Sequence, residues 1–371
     1  MDLIKDLFKG DKVIWIIFLF LCLISIVEVF SAASTLTYKS GDHWGPITQH
    51  SVILMVGVCI VVLVHNIPYK YFRVFPVFLL PLSTLLLIFV MGMGLITGDR
   101  VNGAARWMTF FGIQFQPSEL AKMAVIIVTA FILSKFQEED NANPKAFKYI
   151  MWITGIVFIL IAPENGSTAA LLFGVVFLMM VIGRVPWKQL AKLMGIAGVM
   201  VAFFVGIVMI MPTHKLNKVP MMHRVETWQN RIKEAVPAAK YDIDKDAQIA
   251  HANIAIASSN IIGKMPGNSV QRDFLSQAFS DFIFAIIIEE LGLLGGAFVV
   301  ILYIWLLMRA GKIARRSEKS FPAFLVMGIA LLLVSQAMLN MMVAVGLFPV
   351  TGQPLPLISK GGTSTLINCA Y

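Results

Sequence analysis

The stretch FLSQAFSDFIFAIIIEELGLLGG, residues 274 to 296, carries three carboxylates. Asp281 stands where polar sequence gives way to a membrane-length apolar run, and Glu289 and Glu290 sit inside that run. Neighbours such as DFIFAIII desolvate a carboxylate, which raises its pKa and suits it to accept a proton as a general base. With Ser280 as helix cap, Asp281 falls in the first turn, where the helix dipole alone would also favour it. Glu289 and Glu290 are expected about 12–13 Å deeper along the helix, Glu289 within about 80° of the Asp281 face and Glu290 about opposite. They cannot share one cavity, so at least one is expected to be buried against other helices. Their distance from Asp281 also exceeds the roughly 5–10 Å of a two-carboxylate sugar-cleaving pair.

A second charged pair, Glu119 and Lys122, lies in FQPSELAKMAV. Pro117 suits a first helical turn, with Ser118 or Gln116 as cap, and places Glu119 where the dipole favours it. Lys122 follows on the same face. The pair reads either as a local ion pair at an entry turn or as the charged wall of an outward-facing cavity. Further cations, Arg106, Arg224, Arg231, Lys264 and Arg272, fall on the same side of the chain. Singly each reads as a surface charge. A diphosphate ligand would need several, because arginine grips phosphate oxygens in bidentate fashion. Arg106, beside Trp107 in NGAARW, stands out among them. His214, His223 and His251 lack tight metal-ligand spacing, so no structural zinc site is expected.

The elements that must position these residues follow from composition. Of 371 residues, 58% are hydrophobic and 14% charged, and the mean hydropathy is +0.80. A soluble domain is about half apolar and about a quarter charged. The chain therefore reads as an all-α polytopic membrane protein with about ten transmembrane helices and one large extracytoplasmic loop. Spans are expected near 13–34, 48–66, 72–95, 118–136, 148–163, 167–183, 190–212, 282–309 and 321–347. The fifth and sixth meet at APENGSTAA. A tenth begins near Thr363 and is too short to cross at about 1.5 Å per residue, so it is read as truncated. The first run, Val13 to Ala33, lacks a small-residue cleavage site and is expected to stay as the first helix.

Lys and Arg orient the bundle. MDLIKDLFKGDK, HNIPYKYFR, SKFQEEDNANPKAFK, GRVPWKQLAK and RAGKIARRSEK all carry them and are placed in the cytoplasm, with the N-terminus. Residues 213–281 then form the large outer loop within a single transmembrane domain. Its stretches HRVETWQNRIKEA and DAQIAHANIAIASSN have helical character, and IIGKMPGNSVQRD reads as turns feeding the eighth span. The net charge of +9 reflects cytoplasmic loops and excludes nucleic-acid binding as its reading. Cys22, Cys59 and Cys369 lie in or beside apolar runs and suggest neither metal nor disulfide.

Five stretches occur in order: VNGAARWMTFFGIQFQPSELAKMA, APENGSTAA, IAIASSNIIGKMPGNSVQRDFL, SDFIFAIIIEELGLLGG and GLFPVTGQPLPLISKGGTS. Over residues from about 100 to the end, the chain resembles the SEDS family, which holds the cell-division protein FtsW and the rod-shape protein RodA. Asn102 in NGAARW is closer to the division type, since the rod-shape type tends to have Lys there.

The resemblance implies a ten-helix peptidoglycan glycosyltransferase that polymerises lipid II at the outer face of the bacterial cytoplasmic membrane during septal cell-wall synthesis. It places the essential aspartate of the family on Asp281, and Arg106, Glu119 and Lys122 on matching motif positions. With Arg224, Lys264, Asn268 and Ser269 these make the expected substrate-binding set. It further implies a divalent cation, Mg2+ or Mn2+, and partnership with a class B penicillin-binding protein, a transpeptidase, among other divisome membrane proteins. Three departures accompany it. LSQAFSDF stands where most members have LPEAHTDF, so Ser276, Gln277 and Phe279 replace Pro, Glu and His. Glu164 replaces an Asp, and Lys360 replaces the usual Tyr in SYGG. A lipid II flippase remains the alternative class, since transporters also bury charge. A cavity closed below Asp281 would favour the enzyme, and an elongation polymerase of the RodA type is the nearer alternative.

Overall fold

Apolar runs of about 20 residues must satisfy their own backbone groups in lipid, which helices do. The computed structural model describes residues 10–32, 45–96, 107–110, 113–139, 141–210, 229, 247–275 and 278–371. Within them, α1 (Lys12–Ala32), α2 (Gly45–His65), α3 (Phe75–Ile96), α4 (Pro117–Lys135), α5 (Pro144–Ile161), α6 (Gly166–Ile182) and α7 (Trp187–Ile210) follow the first seven expected spans. A two-residue connection joins the strands of a small antiparallel hairpin, Met108–Phe110 and Ile113–Phe115, that leads into α4. After it come α8 (Ala247–Ala257) in the large loop, α9 (Ile283–Arg316), α10 (Ser320–Ala344) and the short α11 (Thr363–Ala370). Eight of the helices are long and apolar enough to cross a membrane, and α6 is a shorter apolar one. The protein is an all-α multi-pass membrane protein.

Two apolar cores meet on α10. One joins α4, α5, α6 and α10, and the other joins α1, α8, α9 and α10 with Leu355, Leu357 and Ile358. Helix α4 is the most enclosed of the spans. Helix α7 buries only Leu190, Leu193 and Val208 and is apolar all round, as a lipid-facing helix is. At the end of the bundle where α9 finishes, Arg309 grips Asp11 with its Nε 2.9 and 2.8 Å from the two carboxylate oxygens, which ties α9 to the start of α1.

The eighth span departs from its expected form. Helix α9 is broken at Gly292, with φ 73° and ψ −175°. That left-handed φ favours glycine, and a Cβ there would stand 2.3 Å from the Ile261 carbonyl oxygen. Gly263, at φ 80°, faces it, with a would-be Cβ 2.4 Å from the Glu290 oxygen. The break frees carbonyls, and the loop before α9 takes them up. Lys264 N donates to Glu289 O (3.0 Å) and Met265 N to Glu290 O (2.8 Å). In return Leu293 N and Leu294 N donate to Asn260 O and Ile261 O. A short segment, residues 283–291, thus precedes the full span.

That segment runs opposite to the expected direction. Ser359 Oγ donates to Ser280 O at 2.7 Å, so Asp281 sits at the depth of the loop 355–360. Ile358 O accepts from Ser25 Oγ at 2.7 Å, which fixes that depth on α1. Glu290 instead meets Ser31, six residues or about 9 Å further along α1 toward its C-terminal end. Glu289 and Glu290 therefore lie toward the end of the bundle from which the large loop emerges, not deeper than Asp281.

Candidate active site

A cavity of about 830 Å³ opens at that same end of the bundle. Asp281, Ser280 and Phe279 form one wall, and Thr48, Gln49, Val52 and Ile53 of α2 face it. Trp107, Gln114 and Gln116, on and around the hairpin, and the loop 352–364 complete it. Ser280 Oγ donates to Asp281 Oδ1 at 3.0 Å. Asp281 is not in a helical turn: α9 starts at Ile283, its cap position is Phe282, and no side chain caps it. The carboxylate is set by backbone pinning instead. Asn340 Nδ2 donates to Asp281 O at 3.0 Å, and Ser359 Oγ holds the residue before it.

The opposing loop is held just as firmly. Asn340 also donates to Gln353 O (2.8 Å), Gln336 to Pro354 O (3.2 Å), Ser167 to Thr351 O (3.1 Å), and Gln353 Nε2 to Thr168 Oγ1 (2.6 Å). Tyr303 OH donates to Pro356 O from α9. Three helices, α6, α9 and α10, thus shape one Gly- and Pro-rich loop, with Gly352 (φ 67°) and Gly362 (φ 55°) in the left-handed region. Gln336 and Asn340 were not among the expected site residues. Their signal was present: buried amides inside the otherwise apolar α10.

Glu119 and Lys122 pair at 2.8 Å, and Lys122 Nζ donates to Gln336 Oε1 at 3.1 Å. Pro117 takes the first position of α4, while Gln116, at the cap, makes no side-chain capping bond. The expectation of a charged cavity wall is corrected. Lys122 is 0% exposed and Glu119 1%, and neither lines the cavity. The pair stands behind the wall, linked to it through Gln336 and Pro354.

Lys264, Asn268 and Ser269, expected in the substrate-binding set, do not line this cavity. Lys264 Nζ pairs with Glu289 at 2.6 Å, Ser269 Oγ donates to Glu289, and Asn268 Nδ2 donates to Lys264 O at 2.9 Å. The backbone N–H groups of Val270 and Gln271 add to Glu289, and those of Gly267 and Ser269 add to Glu290. These residues fold the loop over the two glutamates. Arg106 and Arg224 lie outside the described residues, as do Arg231, His214, His223, Ser276 and Gln277. His251 bonds Gln271 at 2.8 Å and stacks on Phe274.

Among the described residues no three His, Cys, Asp or Glu side chains come together as a metal cage. The cavity offers one carboxylate, Asp281, with amide and hydroxyl oxygens. A resident Mg2+ or Mn2+ does not fit that set alone, since such ions take one or two carboxylates together with substrate phosphates.

Comparison with known proteins agrees with this architecture. A relative from Geobacter sulfurreducens, named probable peptidoglycan glycosyltransferase FtsW, is 28% identical over 98% of this chain and 93% of its own length. One from Halomonas elongata with the same name is 31% identical over 94% of this chain and 85% of its own. A structure described as "Structural coordination of polymerization and crosslinking by a peptidoglycan synthase complex" superposes with TM-score 0.73 at 22% identity, covering 98% of this chain and 95% of that one. The rod shape determining protein RodA of Thermus thermophilus superposes with TM-score 0.64 at 22% identity, covering 98% and 94%. The family profile for FtsW, RodA and SpoVE, described as cell cycle protein, matches residues 11–371, and the chain belongs to that family.

Proposed function

We propose that the protein is a peptidoglycan glycosyltransferase that polymerises lipid II into β-1,4 glycan strands for septal wall synthesis. The observation that carries this is Asp281: a carboxylate on the wall of a cavity roomy enough for sugar rings, its backbone pinned from α10 and from the loop 355–360. Asp281 takes the proton of an acceptor GlcNAc 4-hydroxyl. That oxygen bonds to C1 of a donor MurNAc, the C1–O bond to phosphate breaks, and undecaprenyl diphosphate leaves with the electron pair. One displacement inverts an α-linked donor to the β product.

Glu119 and Lys122 act as positioning residues, through Gln336 and Pro354, on the wall opposite the reacting sugar. Arg106 and Arg224 would approach the diphosphate from the loops. A divalent cation carried by the diphosphate would supply charge neutralisation, with Asp281 as the one carboxylate among the described cavity residues able to touch it. The positive-inside pattern supports a cytoplasmic N-terminus and a cavity open to the periplasmic side of the cytoplasmic membrane. A class B penicillin-binding protein, with other divisome membrane proteins, is the proposed partner; the superposing synthase complex, which couples polymerization with crosslinking, supports that reading.

The transporter reading loses its main support. Below the cavity stand Lys122, Gln336 and Tyr303, each fully buried, and Glu289 and Glu290 are turned away under the loop. The test is a gel assay for glycan strands with purified protein and lipid II, a transpeptidase inhibitor present, and the partner added or withheld. Strands are expected with the partner. Near-normal strands from Asp281→Asn would remove Asp281 from the base role, and no strands under any condition would remove the enzyme reading.

A further inference from the structure

Among the described residues that line the cavity, Lys360 is the one cationic side chain. It is built into the wall. Its backbone N donates to Phe279 O at 2.9 Å, and the adjacent Ser359 Oγ donates to Ser280 O at 2.7 Å. Residues 359–360 therefore run against 279–280, and Lys360 and Asp281 open into one space from paired segments. The ammonium Nζ lies 5.8 Å from the centroid of the Phe279 ring. An aromatic face steadies a cation without cancelling its charge. Burial pulls Lys360 below the ordinary lysine value, as expected of an ammonium held short of water.

We infer that Lys360, steadied on the Phe279 ring, is a group that binds the diphosphate of a lipid-linked ligand in this cavity. The inference rests on the proposed glycosyl transfer and names the contact to its leaving group. A lysine ammonium offers three donors as a compact charge, which suits phosphate oxygens without demanding bidentate geometry. Charge on the leaving diphosphate grows as the C1–O bond breaks, so the contact strengthens along the reaction and acts on kcat as well as on binding.

The test measures binding of undecaprenyl diphosphate, undecaprenyl monophosphate and inorganic pyrophosphate to the purified full chain in nanodiscs, in EDTA. Lys360→Ala is expected to weaken the diphosphate lipid about tenfold, the size of one charge-assisted contact. Lys360→Arg should stay within about threefold, and the monophosphate lipid should change less. Pyrophosphate losing affinity in parallel would identify the headgroup alone as the ligand; no change for pyrophosphate would show that the lipid is also needed. Lys360→Tyr should lose affinity as Lys360→Ala does, because the ammonium is gone. If Lys360→Ala does not fold, Lys360→Gln is read the same way.

Unchanged diphosphate affinity in Lys360→Ala or Lys360→Tyr overturns the inference. The two readings separate cleanly. Polymerisation that survives Asp281→Asn breaks the proposed base while leaving Lys360-dependent binding intact. Diphosphate binding indifferent to Lys360, with polymerisation lost in Asp281→Asn, breaks only the present inference.

Discussion

Asp281 and Glu289 flank one short helical segment, yet their surroundings are opposite. Glu289 and Glu290 are 0% exposed and met on nearly every oxygen. Glu289 receives Lys264, Ser269 and two backbone N–H groups, and Glu290 receives Ser31 and two more, with Arg272 at 3.8 Å. Asp281 lines an open cavity, next to Ser280 and along the wall from Lys360. A buried charge is tolerated when it is fully hydrogen-bonded, and its strength is then spent on structure. A carboxylate on a cavity wall stands where an entering ligand can meet it. The three acids in 274–296 thus fall into two settings: one lines the cavity, and two staple the loop beside it.

The comparison breaks first, and most visibly, at Asp281. Asp281→Asn keeps the shape and removes the base, so polymerisation should fall by about 10²–10⁴, the usual contribution of a general base. Folding should be untouched, seen as an unchanged melting temperature. A large drop in melting temperature with activity retained would place Asp281 in the same structural class as Glu289. Glu289→Ala should do the reverse. It leaves Ser269 and two backbone donors without their acceptor, and each hydrogen bond to a charged group is worth about 1.5–3 kcal/mol. The expected result is poor yield and early thermal unfolding, with normal specific activity in whatever protein folds.

Lys122 sharpens the comparison from behind the wall. Lys122→Met alone leaves Glu119, whose Oε2 already has no hydrogen-bond partner, buried and uncompensated. It should destabilise by about 3 kcal/mol. Glu119→Gln combined with Lys122→Met should recover most of that stability, because no lone charge remains. If the double variant melts normally and still binds lipid II as wild type does, Lys122 supports the wall. If its KM rises tenfold at normal stability, Lys122 reaches the substrate after all.

How far these roles were legible in the chain depended on the physics behind each. Helix existence was written in apolar run length, and the described boundaries of α1 to α7 fall within a few residues of those expected. Asp281 was legible because an acid at an apolar boundary is costly wherever it is found. The direction of 283–291 was not legible. It turns on Gly292 adopting φ 73° against Gly263, and a Gly inside ELGLLGG reads as an ordinary helical residue until its partner loop is known. The pairing of Lys264 and Ser269 with Glu289 was not legible either, because it depends on long-range packing of the loop. Gln336 and Asn340 gave a weaker signal than ionisable groups, though they hold the loop that forms a cavity wall.

Gly292→Ala should have an intermediate effect. The Cβ would collide with the Ile261 carbonyl at 2.3 Å in a left-handed backbone, a strain of about 1–3 kcal/mol. The loop 260–265 and the segment 283–291 would have to part, which moves Asp281 indirectly. A reduced kcat at unchanged lipid II affinity, alongside a lower melting temperature, would show that the break sets catalytic geometry.

The smallest expected effect is also the finest discrimination between the two acid regions. Lys264 is 29% exposed, and its bond to Glu289 is one of four that this glutamate accepts. Solvent screens a partly exposed pair, so Lys264→Met should cost about 1 kcal/mol or less in stability. Glu289 would still hold Ser269 and the two N–H groups, so the loop should keep its course. The kcat and KM for lipid II should stay within about twofold of the unaltered protein. A tenfold rise in KM at normal melting temperature would instead return Lys264 to the substrate set. The loop would then have to swing over the cavity with lipid II bound, exchanging Glu289 for a phosphate.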